Sequence, residues 1–309
     1  MSKLPFPKTL SAFQSWFATD EACVHYLAES RWPAGYACPR CGHAEAYELT
    51  SRPVYKCKQC QYQVSVTAGT VLHGTRLSLR DWFSAAYLVA THTPGISAVQ
   101  LQRQLGLKRY ETAWGLLQKL RRAMVRPERD RISGEVEVDE TYIGGLEEGR
   151  GAGRLRDSTK AIVVGAVEIR GHGSGRVRLR VVDDLSSASL VGFLEESVVS
   201  GSVVHTDGWG GYRPLANKGY DHRRQTQGPG KNAPKHFPRV HRVFSNLKTW
   251  LAATHHGVSE QHLQHYLDEY VFRFNRRRAP MAAFQSLLGF ASQHKPTTYN
   301  MLYDGERTG

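Results

Sequence analysis

Cys38-Pro-Arg-Cys41 and Cys57-Lys-Gln-Cys60 form two cysteine pairs, with fifteen residues between them. The C-x2-C…C-x2-C spacing is that of a structural zinc ribbon. Two knuckles of this shape present four thiolates tetrahedrally to one Zn²⁺. The competing reading, a pair of disulfides, needs an oxidising compartment, and Met1 to Leu10 has no apolar run of the kind that directs secretion. Two carboxylates form the second group able to do chemistry. Asp139 comes late in the alternating segment GEVEVDETYIGG, and Asp207 closes the segment GSVVHTDG. Carboxylates at neighbouring strand ends can share hard cations such as Mg²⁺ or Mn²⁺, which take oxygen ligands and support phosphodiester chemistry. Spacing alone leaves the ordinary alternative open, in which both are strand-end and turn residues. Glu135 and Glu137 share the strand parity of Asp139, while Glu140 points the other way. Glu137 is expected to support the site from behind.

These residues need elements to hold them. The chain has 309 residues, room for two or three domains, and a net charge of +13 with a pI near 9.6. Such a surface attracts polyanions, DNA or RNA first. No run approaches eighteen apolar residues, so the sequence predicts a soluble, cytoplasmic protein with no membrane partner. Helical periodicity covers residues 11–30, anchored by Phe13, Trp16, Phe17 and Tyr26. Ribbon strands are expected around Tyr55-Lys56 and over Gln61–Val66. Helices follow at Leu79–Ala90 and from Ile96. The stretch from Gln104 through Gly106 into Tyr110–Trp114 has the helix, glycine turn, helix layout of a helix-turn-helix. That motif would contact DNA; a plain helical hairpin is the alternative. From Gly134 on, strands are predicted within 134–145 and at 160–169, 176–182 and 201–207, with an amphipathic helix at 186–199 between the last two. Helices are predicted over 244–278. The segment Asp221–Arg239, rich in Gly, Pro, Lys, Arg and His, reads as a loop that orders on DNA, with a long disordered connection of no function as the alternative.

The expected fold class is α/β: an RNase H-like core with a mixed sheet and flanking helices, preceded by a small zinc ribbon and a helix-turn-helix. The expected domains are 1–75 (helix and ribbon), 76–130 (helix-turn-helix), 131–290 (catalytic) and 291–309 (tail).

The segments CPRC…CKQC, VEVDETYIGG, HTDGWGGY and THHGVSEQHLQHYLDEYVFRFNRRR, in this order, resemble bacterial insertion-sequence transposases with an N-terminal zinc ribbon and an ISXO2-like DDE catalytic domain. The resemblance implies Asp139 and Asp207 as ligands of catalytic Mg²⁺ or Mn²⁺, alongside structural Zn²⁺. It also implies a third ligand on a helix, seven residues before a lysine. Lys248 fits the lysine, and His241 stands seven residues before it, where many relatives have Glu. Asn246 is the other candidate for the third position. His241 is favoured because 33 residues lie between it and Asp207, close to the family interval. Lys248 would hold a DNA phosphate near the scissile bond. The implied activity is metal-dependent cleavage and strand transfer at terminal inverted repeats, with double-stranded DNA as partner and a homo-oligomer on DNA. Two other readings stay open: a DNA-binding regulator with an inactive catalytic domain, and an RNase H-like nuclease without strand transfer.

Overall fold

The computed structural model describes residues 4–49, 53–126, 128–144, 160–225 and 237–303. The chain divides into two compact units, the first made of Met1–Arg126 with Arg276–Glu306, the second chiefly of Pro127–Asn275.

In the first unit, the helical pattern predicted over 11–30 is broken into α1 (Leu10–Trp16) and α2 (Asp20–Arg31). Thr19 causes the break: its hydroxyl accepts from Ala22 N–H as an N-cap, and Asp20 and Glu21 follow in the first turn, where the helix dipole favours negative charge. The antiparallel strands β1 (Ala46–Leu49), β2 (Val54–Cys57) and β3 (Gln63–Ser65) form the ribbon sheet. Trp32, Tyr36 and Tyr55 pack ring on ring between the end of α2 and β2. Three helices follow: α3 (Leu79–Thr91), α4 (Ala98–Leu105) and α5 (Tyr110–Ala123). Gly106 ends α4 at φ +64°, the left-handed conformation that lets the chain turn sharply into α5.

The second unit is built on a five-stranded mixed sheet. Its strands are β4 (Glu135–Ile143), β5 (Ala161–Arg170), β6 (Gly173–Val182), β7 (Val203–Thr206) and β8 (Asp221–Arg224), in the order β6-β5-β4-β7-β8. The β6-β5-β4 ribbon is antiparallel, and β7 and β8 add in parallel. β8 corrects part of the predicted loop at Asp221–Arg239. Its sequence, Asp-His-Arg-Arg, carries no apolar alternation because an edge strand with an open face needs none. Positions 226–236 of that loop lie outside the described residues. Both faces of the sheet are covered. On one lies α6 (Ser187–Ser197), capped by Ser186, with a 3₁₀ helix at Gly210–Lys218. On the other lie α7 (Pro238–His255) and α8 (Glu260–Asn275). The predicted helical stretch 244–278 therefore begins earlier and is interrupted. His256 at φ +56° and Gly257 at φ +107° stop α7. Two further helices are α9 (Pro280–Gln293) and α10 (Tyr299–Tyr303). α9, most of which lies in the stretch expected to be catalytic, packs on α2 and α3 in the first unit, with Phe284 among Phe13, Phe17 and Phe83.

Candidate active site and metal centre

The metal centre is local to the ribbon. In each knuckle the cysteine N–H donates to a carbonyl five residues on, Cys38 to His43 and Cys57 to Tyr62. The carbonyl of that cysteine accepts in turn from the residue four on, Gly42 or Gln61. Both of those residues take the left-handed conformation. The two knuckles are thus built alike and converge on one point. All four sulfurs lie within 4.8 Å of one another. Cys38–Cys60 and Cys41–Cys57 are each 3.6 Å apart, too long for a disulfide and close to the edge of roughly 3.8 Å in a ZnS₄ tetrahedron. Burial pushes the Cys38 thiol up, but the amide N–H groups of Arg40 and Cys41 and the neighbouring thiols of Cys41 and Cys60 outweigh it and draw it down to about 6. The four cysteines are positioned to bind zinc.

The carboxylates converge in the second unit. β4 and β7 run parallel with Glu135 opposite Val203 and Glu137 opposite His205; Asp139 and Asp207 each follow two residues further along, near enough for the charge of Asp207 to act on Asp139. Asp207 lies just past the end of β7, where its Oδ1 accepts from the N–H of Trp209 at 2.9 Å. Asp139 is largely buried. Burial raises its carboxyl to about 6, and the charge of Asp207 pushes the same way; the Glu140 N–H and the nearby His241 oppose them.

His241 reaches this pair from α7, with Nε2 3.5 Å from Asp139 Oδ2. That nitrogen is buried and hydrogen-bonds to no described group. A buried imidazole nitrogen facing the Asp139 carboxylate is a donor pair that suits a divalent cation. Among the described residues, the cysteines alone form a cluster of three or more His, Cys, Asp or Glu gathered tightly enough to hold a metal, so Asp139, Asp207 and His241 stand further apart than that. Asn246 is exposed and lies about 140° around the helix from His241. Lys248 lies on the His241 side, two turns on.

Two features that hold α7 here were only partly readable from sequence. Glu137 is 3% exposed, and its carboxylate accepts from Arg239 N–H at 2.8 Å, Val240 N–H at 2.9 Å and Arg239 Nη1 at 2.8 Å. A strand carboxylate thus caps the first turn of α7, one turn before His241. The parity of Glu137 with Asp139 was the available signal. The second feature is Gly165, paired with Asp139 in the β4–β5 register. A Cβ there would sit 2.8 Å from Phe244 Cε1, so its absence lets α7 lie close on the sheet. A glycine inside an apolar strand is the readable sign of such an approach. On the opposite face, the hydroxyl of buried Tyr212 donates to Glu140 Oε2 at 3.0 Å. Glu135 meets His205 at 2.7 Å.

Residues 131–275 match the family model of the ISXO2-like transposase domain, and residues 18–63 match that of the transposase zinc-ribbon domain. The chain belongs to the zinc-ribbon, ISXO2-like transposases. A protein described as an uncharacterized protein in transposable element ISH50, from Halobacterium salinarum, is 25% identical over 284 residues, covering 85% of this chain and 94% of that relative. A chain in a cryo-EM structure of a simian T-cell lymphotropic virus intasome with the PP2A regulatory subunit B56 gamma is 14% identical. It covers 55% of this chain and 67% of that one with a TM-score of 0.28, too low to carry any argument. Among the described residues, no helix is long and apolar enough to cross a membrane.

Proposed function

We propose that this transposase binds the terminal inverted repeats of its own insertion sequence, cleaves the DNA at their ends and joins the freed 3′ end to target DNA. The observation that supports this most is the placement of Asp139 beside Asp207 with His241 3.5 Å from Asp139. Asp139, Asp207 and His241 would hold Mg²⁺ or Mn²⁺, which when bound supplies Lewis acidity to phosphodiester oxygens. Lys248, on the same side of α7, would hold a neighbouring phosphate in register. In the first step water displaces the 3′-oxygen at the element's end; in the second, that 3′-hydroxyl displaces an oxygen from a target phosphate. Neither step needs a covalent link to the protein. The strand order β6-β5-β4-β7-β8, antiparallel then parallel, supports the RNase H-like reading. The pair α4–α5 supports the helix-turn-helix reading through Arg103, Lys108, Arg109 and Tyr110, all exposed around its turn. Joining two ends in one complex calls for at least a dimer on DNA.

A regulatory reading also has an observation behind it, because His241 brings no negative charge when neutral. One experiment separates the readings: strand transfer by the zinc-loaded protein on labelled DNA from the gene's own flanks, with Mg²⁺ or Mn²⁺. Joining that is lost in Asp139→Asn, Asp207→Asn and His241→Ala and kept in Asn246→Ala is the expected result. Tight end binding without cleavage or joining would move the assignment to the regulator. Cleavage without joining would move it to the nuclease.

A further inference from the structure

Two residues next to the aspartates are tied to each other on the face of the sheet away from His241. Glu140 follows Asp139 on β4 and points toward the side covered by α6 and the 3₁₀ helix. Tyr212 follows Asp207 by five residues, at the start of that 3₁₀ helix, and is fully buried. The 3.0 Å bond from its hydroxyl to Glu140 Oε2 thus runs from the turn that carries Asp207 to the strand that carries Asp139. Each end is linked to its aspartate through the backbone. The Glu140 N–H donates to Asp139 Oδ1 at 2.9 Å, and the Trp209 N–H donates to Asp207 Oδ1 at 2.9 Å. The turn is fastened around Asp207 as well, with Thr206 Oγ1 donating to the Asp207 carbonyl and Arg224 Nη2 to the Gly208 carbonyl. At Gly211 an added Cβ would lie 2.8 Å from the Leu185 carbonyl oxygen, so the turn is also packed tight.

Burying a phenol does not require a carboxylate. Tyr220, in the same core, gives its hydroxyl to the carbonyls of Leu194 and Val198. Tyr212 takes an acid instead, which makes a stronger, charge-assisted bond. Burial and the charges of Glu140, Asp139 and Asp207 push the Tyr212 hydroxyl well above its ordinary value, which keeps it a donor. The need for a tie is plain. Asp139 and Asp207 repel one another until a cation lies between them, and a site whose spacing is already set binds that cation at less cost.

Resting on the transposase reading, we propose that the Tyr212–Glu140 hydrogen bond is a brace that fixes the spacing of Asp139 and Asp207. Tyr212 and Glu140 are then positioning residues for the metal-dependent reaction. The test uses the full-length, zinc-loaded protein on duplexes of the gene's own flanks. Mn²⁺ binding is followed by electron paramagnetic resonance of the free ion, with Asp139→Asn as background, and strand transfer is measured in parallel. Tyr212→Phe keeps the ring and the Glu140 charge and removes only the hydroxyl; it should weaken Mn²⁺ binding roughly tenfold. Glu140→Ala should do the same, and the double variant should be no worse than either single one. Glu140→Gln keeps an oxygen to accept from Tyr212 and should lose less. The Mn²⁺ concentration for half-maximal strand transfer should rise in the same order. Wild-type Mn²⁺ binding in Tyr212→Phe, with strand transfer intact, overturns the brace and leaves the transposase reading standing. If Tyr212→Phe does not fold, the Glu140 pair decides: equal loss in Glu140→Gln and Glu140→Ala means that the charge acts alone, and the brace falls. A wild type that neither binds Mn²⁺ above the Asp139→Asn background nor joins DNA removes the reading itself, and the brace with it.

Discussion

Gly165 is the cross-strand partner of Asp139, and the side chain it lacks would collide with the ring of Phe244. Phe244 follows His241 by three residues on α7, so both lie toward the sheet. The depth to which that ring sinks therefore helps set the 3.5 Å between His241 and Asp139. Gly165→Ala should destabilise the protein by about 1–3 kcal/mol through overpacking and lower strand transfer by lifting α7. Adding Phe244→Leu should recover much of the stability, because the smaller side chain makes room. Urea unfolding of the single and double variants tests this, and equal stability of Gly165→Ala and wild type would sink it.

Glu137 fixes the same helix at its start. Removing its carboxylate in Glu137→Ala leaves the N–H groups of Arg239 and Val240 and one guanidinium nitrogen without their acceptor. Loss of one partner from a buried charged pair costs about 3 kcal/mol or more. Glu137→Gln keeps an amide oxygen for the helix N–H groups and should lose less. If the two variants unfold at the same urea concentration as wild type, the clamp has no weight.

The raised carboxyl of Asp139 makes a pH prediction with a definite sign. Its ordinary value is 3.8 and its folded value about 6, so between these the folded chain keeps a proton the unfolded chain has released. Stability of the protein without Mg²⁺ or Mn²⁺ should therefore fall as pH rises across that window and stay lower above it. Asp139→Asn removes the penalty and should be the more stable protein at pH 8, by on the order of 1–3 kcal/mol. The difference should fade below about pH 4. Wild type and variant are compared by urea unfolding from pH 4 to 8. A variant no more stable than wild type at pH 8 would contradict the buried, proton-holding carboxylate. Divalent-metal binding, which needs the ionised form, should weaken below pH 6 in the wild type.

Much of this architecture was legible because its signals are local. The cysteine spacing gave the ribbon, period-two alternation gave β4 and β6, a continuous apolar run gave β5, and the acid before a glycine-rich turn marked the end of β7. β8 was not legible, since four polar residues at a sheet edge have no pattern to read. The start of α7 at Pro238 was hidden for a related reason: the acceptor for its first N–H groups is Glu137, about a hundred residues earlier. Asp139 and Asp207 stood out as strand-end acids, but their adjacency depends on a parallel register between strands that are distant in sequence. The packing of α9 in the first unit is equally non-local, resting on the aromatic cluster around Phe284.

The ribbon yields the last prediction. Four sulfurs within 4.8 Å of one another have little to hold them there except a shared cation, because β1–β3 is a small sheet with few buried side chains. Structural zinc sites of this size draw their folding free energy from the metal, about 10–16 kcal/mol in isolated fingers. Cys41→Ser should therefore cut bound zinc well below one ion per chain and loosen the ribbon strands. The Trp32, Tyr36 and Tyr55 stack reports that change directly, because it joins β2 to the end of α2. Zinc content by mass spectrometry and tryptophan emission, in Cys41→Ser and in chelator-treated wild type, should move together, and end binding should drop with them. Full zinc occupancy with unchanged emission in Cys41→Ser would show that this sulfur is not needed to close the site.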